Sequence, residues 1–153
     1  MDEKQLFKII DHIADEGLKA IKKHIKQKLP IDYVGIFSKN QQEYNELIEL
    51  LDKLGKRRIL YEKGITFLLH KPYETKAGKL NLIKIRIPDK QKPQRGAPDF
   101  RIKNYKRFKQ KYLKRKNFNL IVRKEYEMLE LKDKNFDILV YFPDIPLSTE
   151  LGI

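Results

Sequence analysis

Residues 88–100 read PDKQKPQRGAPDF. Two Pro-Asp pairs stand ten residues apart, with a basic, glycine-containing connector between them. The stretch can be a catalytic loop, a nuclease signature or a joint between two similar halves, and the flanking sequence decides which. Upstream, IDYVGIF (31–37) reads as a strand. SKNQQEYNELIELLDKLGK follows as a helix, opened by Ser38 or Asn40 as N-cap and closed at Gly55. Its apolar face is Tyr44, Leu47, Ile48, Leu51 and Leu54. RRILYEKGITFLLHKP (57–72) is a hairpin turning at Lys63-Gly64, and KLNLIKIRI (79–87) is another strand. The order before the connector is β-α-β-β-β.

Downstream the same order returns. PDFRIK (98–103) reads as a strand, and NYKRFKQKYLKRK as a helix with Asn104 as its cap. FNLIVR (118–123), EYEMLELK (125–132) and FDILVYF (136–142) then make three strands. Each half opens with Asp and an aromatic, Asp32-Tyr33 and Asp99-Phe100, and closes on a strand running into Pro-Asp, IRIPD and VYFPD. PDKQKPQRGAPDF is therefore a joint: it holds the end of one repeat and the start of the next. The repeat predicts that Asp32 or Tyr33 stands opposite Asp99 in the folded sheet. Before both halves, residues 2–28 carry Leu6, Ile9, Ile10, Ile13, Ile21 and Ile25 at helical spacing, ahead of Pro30. The chain divides into a helical extension (1–29), a first module (30–95), and a second module with a tail (96–153). Together they are expected to form one α+β domain, a curved mixed sheet with helices on its convex side.

Composition narrows the function. With 41% hydrophobic residues a core can form, and with 36% charged residues the chain is expected to be soluble. No run of eighteen apolar residues predicts a membrane span, and the acidic start MDEKQ is unlike a signal peptide. A cytoplasmic location is the resulting expectation. The absence of cysteine excludes disulfides, thiolate nucleophiles and zinc–sulfur sites. The net charge of +13 has two readings. One is a partner rich in phosphate; the other is a Lys-, Ile- and Asn-rich composition with no binding role. No P-loop, GxGxxG or Gly-x-Ser-x-Gly occurs.

Tandem β-α-β-β-β modules, the IDYVGIF strand and the PQRGAPDF connector resemble the vicinal oxygen chelate, or glyoxalase-like, superfamily. The N-terminal helix and the strand end LLHKP (68–72) are most similar to its YecM-like branch. The resemblance implies a divalent metal held by the first and last strands of each module. Carried over position by position, those ligand places fall on Tyr33, near Arg86, on Asp99 and near Tyr141. Only Asp99 is an ordinary ligand, because an arginine keeps its proton. The resemblance thus implies the sheet with an altered or absent metal site, and a homodimer is compatible with it.

Strand alternation gives the same face independently. If Val34 and Ile36 face the helices, then Tyr33, Gly35 and Phe37 line the concave side. By the same rule Asp99, Arg101 and Lys103 project there, as do Lys84 and Arg86. The candidate ligand-binding set is Tyr33, Lys84, Arg86, Asp99, Arg101 and Tyr141, which suits a small anionic molecule. Two readings of Asp99 stand side by side. In one it pairs with Arg86. In the other it holds a metal with His70, Glu127 or Glu130. His12 and His24 lie about 120° apart around a helix and cannot share an ion.

The alternative function is association with nucleic acid. PDF (98–100) with ELK (130–132) spells the Pro-Asp…Glu-x-Lys pattern of restriction-type nucleases. KRFKQKYLKRK (106–116) holds seven basic residues in eleven.

Overall fold

Asp2 opens the first helix. In this computed structural model, which describes residues 1–153, its carboxylate accepts from the Gln5 backbone N–H at 2.8 Å. The Gln5 side chain in turn accepts from the Asp2 N–H at 2.9 Å, which completes a capping box. The helix, α1 (Glu3–His24), carries Lys22, Lys23 and His24 in its last turn, where positive charge favours the carbonyl end. It stops four residues short of the expected Lys28. Lys26 adopts φ 59°, a left-handed conformation that a helix cannot continue, and the chain turns there toward the sheet.

Next come β1 (Ile31–Phe37), α2 (Gln41–Leu54), β2 (Gly55–Tyr61), β3 (Gly64–Thr75) and β4 (Gly78–Arg86). Asn40 is the cap of α2, accepting from Glu43 N at 2.8 Å. β3 runs on through Pro72, past the strand end expected there. The β3–β4 register shifts between Leu68 and Tyr73, and such an irregularity tolerates a residue with no N–H. The second half is β5 (Gly96–Phe100), α3 (Tyr105–Tyr112), β6 (Phe118–Val122), β7 (Glu127–Lys132), β8 (Leu139–Pro143) and a short α4 (Leu147–Glu150).

The eight strands form one mixed sheet in the order β2-β3-β4-β1-β5-β8-β7-β6. Pairing is parallel for β1 with β4 and for β5 with β8. The halves meet at the antiparallel β1–β5 seam, where Tyr33 stands opposite Asp99 and Gly35 opposite Ala97. This is the α+β arrangement, one mixed sheet with an N-terminal helix, that the element order predicts. The connector runs from β4 to β5. Arg95 is buried in it, donating to Glu43 at 2.8 and 3.1 Å and to the Phe37 carbonyl at 3.0 Å.

One face of the sheet packs on α1, α2 and α3. Leu6, Ile10 and Ile13 of α1 are fully buried, in one cluster with Val34, Ile36, Ile85, Phe100 and Phe142. Gly17 sits where an added Cβ would lie 2.6 Å from Pro98 Cγ, so α1 can approach β5 only without a side chain there. Polar contacts fix the far end of α1: Lys23 donates to Asp133 Oδ2 at 2.7 Å, and His24 Nε2 lies 2.8 Å from the same oxygen. No helix is long and apolar enough to cross a membrane.

Candidate functional site

The concave face carries the chemistry. Strand register sets Gly35 beside Lys84 and Phe37 beside Arg86 across β1 and β4. It sets Tyr33 beside Asp99 across the seam, and Asp99 beside Tyr141 across β5 and β8. Register partners share a face, so Tyr33, Lys84, Arg86 and Asp99 converge as alternation predicts, and Tyr141, a position taken from the resemblance, joins them. They line a cleft of about 410 Å³. Gly35 and Ala97 form its low floor, while Tyr61, Lys92, Tyr126 and Met128 help to wall it.

Asp99 lies at the centre, 1% exposed. Its Oδ1 has no hydrogen-bond partner in the protein. Burial pushes its carboxyl pKa well above the usual carboxylate range, against the opposing pull of the Lys84 ammonium and a hydrogen bond from Tyr33. The Tyr33 phenol is raised too, by burial and then by Asp99. Lys84 is lowered, mainly because it is desolvated; nearby Arg86 adds to this while Asp99 opposes it. Lys92 is lowered by burial and then by Arg86. Burial likewise raises Tyr61 and Tyr141. The floor is thus an acid that favours its neutral form, ringed by amines that release protons more readily than usual.

Aromatic rings hold the cations. Lys84 Nζ is 4.4 Å from the Tyr61 ring centroid and 5.9 Å from that of Tyr33. The Arg86 guanidinium lies 5.4 Å from the Phe37 centroid, and Lys92 Nζ lies 5.8 Å from the same centroid. Lys92 also donates to the Tyr141 hydroxyl at 3.2 Å. The expected Asp99–Arg86 ion pair does not form: the cation that acts most on Asp99 is Lys84, and Arg86 rests on Phe37 instead.

Two other expected site residues lie elsewhere. Arg101 is outside the cleft, bonding Asp32 Oδ1 at 3.0 Å and the Ser148 hydroxyl. The strand alternation assumed for it ends one residue earlier, at Phe100, and a register shift at Ile31/Tyr33 lets Asp32 face the same knot. Ser148 N donates to Asp32 Oδ2 at 3.2 Å, so the tail locks onto the central strand β1, not across a sheet edge. His70 is exposed, in the irregular part of β3, and is no neighbour of Asp99. Lys92 and Tyr61 were not among the expected residues. A connector has no periodicity to orient Lys92, and Tyr61 ends its strand at a turn.

The residues do not suit the metal that the resemblance implies. No three His, Cys, Asp or Glu side chains are placed to hold an ion, and the buried Asp99 carboxylate has phenols and cations for its nearest neighbours, with Glu62 and Glu150 elsewhere on the lining. The nuclease geometry is also absent. β8 lies between the strands of Asp99 and Glu130, so the two carboxylates do not stand on the adjacent hairpin strands that the pattern uses. In the basic stretch, α3 ends at Tyr112, Lys109 pairs with Glu127 at 2.8 Å, and Arg115 covers the Tyr112 ring.

No family model and no curated protein matches the chain. Among solved structures it is similar to a structural-genomics protein, EC4020, with a TM-score of 0.68 at 10% identity, over 99% of this chain and 96% of that one. A glyoxalase/bleomycin resistance protein/dioxygenase superfamily member from Vibrio splendidus 12B01 superposes with a TM-score of 0.46 at 8% identity, covering 75% of this chain and 97% of that one. At such identities, the likeness to EC4020 is one of fold.

Proposed function

We propose that this glyoxalase-like chain binds a small anionic molecule in the concave cleft, through Lys84, Arg86 and Lys92, without a metal ion. One observation carries the reading. Three cations converge on one cleft and rest on aromatic rings rather than on carboxylates. An unpaired cation in a partly dry cleft attracts an anion far more strongly than the same group in water. Tyr33, Tyr141 and Asp99 then supply hydrogen bonds that orient the bound molecule. The N-terminal helix and the LLHKP sequence support placing the chain nearest the YecM-like branch.

Calorimetric titration with a panel of small carboxylates and phosphates, in the presence of a chelator, tests this. At least one compound is expected to bind more tightly than millimolar, and Arg86→Ala is expected to weaken it about ten-fold, 1.4 kcal/mol. A panel without binding, or stoichiometric divalent metal in the purified protein that is lost in Asp99→Ala, overturns the proposal.

A further inference from the structure

Asp99 Oδ1, the Tyr61 hydroxyl and Thr66 Oγ1 are buried with no hydrogen-bond partner in the protein. Buried polar atoms are nearly always paired, so three orphans close together point to a ligand that satisfies them. All three surround one side chain. Thr66 faces Lys84 across the β3–β4 ladder, the Lys84 ammonium stands 4.4 Å from the Tyr61 ring centroid, and Asp99 is its nearest influential carboxyl. Arg86 projects from the same face two residues along β4. The cluster thus offers an amine, an acid and a carboxylate-binding guanidinium at one end of the cleft.

We propose that Lys84 is a nucleophile whose amine condenses with the oxo carbon of a small α-oxo acid, the acid's carboxylate being held by Arg86. The inference rests on the anion-binding reading of the cleft. In the first step the nitrogen lone pair forms a C–N bond and the C=O π pair moves to oxygen. The Asp99 carboxyl protonates that oxygen, giving a carbinolamine. Nitrogen then returns a proton to the Asp99 carboxylate, and the re-formed carboxyl passes it to the carbinolamine hydroxyl. That group leaves as water while the nitrogen lone pair forms the C=N bond. The Asp99 carboxylate takes the remaining N–H proton, giving an imine. Amine and oxo group become imine and water, with no oxidant or reductant needed. The Tyr61 hydroxyl belongs to the cleft lining beside Lys84 and is available to the hydroxyl that departs. The lowered pKa of Lys84, caused mainly by burial, leaves more of its amine unprotonated near neutrality than an exposed lysine has.

Pyruvate with sodium borohydride is the probe, because borohydride reduces an imine to a stable secondary amine. Peptide mapping by mass spectrometry is expected to find one adduct per chain, on Lys84. The adduct should be absent from Lys84→Arg, which keeps the charge. Asp99→Asn should form it at least ten-fold more slowly. The rate should climb with pH at values below those at which an exposed lysine titrates. The wild-type map is decisive even where Lys84→Arg fails to fold. Calorimetry with pyruvate alone separates the two levels of inference. Binding without an adduct, or adducts on Lys63, Lys92 or scattered surface lysines in place of Lys84, overturns the nucleophile and leaves the anion site standing. Neither binding nor adduct overturns both.

Discussion

At Asp99, folding and chemistry pull in opposite directions. The side chain is buried with one oxygen unpartnered, and its pKa is raised, chiefly by desolvation. In the unfolded chain an aspartate titrates near ~3.9. Above that pH the unfolded chain has lost a proton that the folded chain still holds. The stability this group contributes is therefore complete below about pH 4 and is lost as pH rises through the folded pKa. Asp99→Asn keeps the shape and removes the titration. By urea denaturation the variant is expected to be more stable than wild type at pH 8 by about 1–3 kcal/mol, with the gap closing toward pH 4. A variant weaker than wild type at pH 8 would mean that Asp99 is a compensated charge, and so would refute the neutral acid. Tyr33, Lys84, Arg86 and Asp99 were legible from the sequence because a buried strand fixes alternate side chains to one face, whereas Tyr141 came only from the resemblance. Arg101 was misplaced because alternation says nothing about where a strand ends. His70 was misplaced because it was carried over from the resemblance, and a position along β3 says nothing about its distance from β5.

At the scale of elements, α1 shows what local sequence specifies and what it leaves to packing. Its start is written in Asp2 and Gln5, and its buried stripe in the recurrence of Leu6, Ile10, Ile13 and Ile21. Its end is not, because the left-handed Lys26 answers to the route the chain takes into β1. Gly17 is a second element-level signal. In a helix interior glycine costs about 1 kcal/mol relative to alanine, so its presence calls for a reason, and Pro98 supplies one. An alanine Cβ would lie 2.6 Å from Pro98 Cγ, an atom of a ring that cannot rotate away. Overpacking of this kind costs about 1–3 kcal/mol, which outweighs the helix gain. Gly17→Ala is expected to lower the thermal midpoint and the urea midpoint together. An unchanged or higher midpoint would show that α1 does not press on β5 so closely.

At the scale of the whole molecule, the order of elements was the most legible feature and the joint between the halves the most informative. Two β-α-β-β-β runs can sit side by side as independent modules or share one core. The sequence favours the shared core through its length, since 153 residues are most simply one domain. In the structure α1 touches β1, β5 and β8, strands from both halves. Ile36 of the first half and Phe142 of the second belong to one buried cluster. The β1–β5 seam adds backbone pairing between the halves, and Arg95 ties the connector to α2. Neither half can expose its share of this core without opening the other, so unfolding is expected to be one all-or-none transition. In differential scanning calorimetry the calorimetric and van't Hoff enthalpies should agree. Ile13→Ala, a cavity beneath the seam costing about 2–5 kcal/mol, should then shift the entire curve to lower temperature without splitting it. Segments 30–95 and 96–153 made separately should lack a cooperative melt, since each would expose apolar faces that the other half and α1 cover. Two resolved transitions in the intact chain, or a folded isolated segment, would show that the halves are autonomous, and that the cleft between them is held by the seam alone.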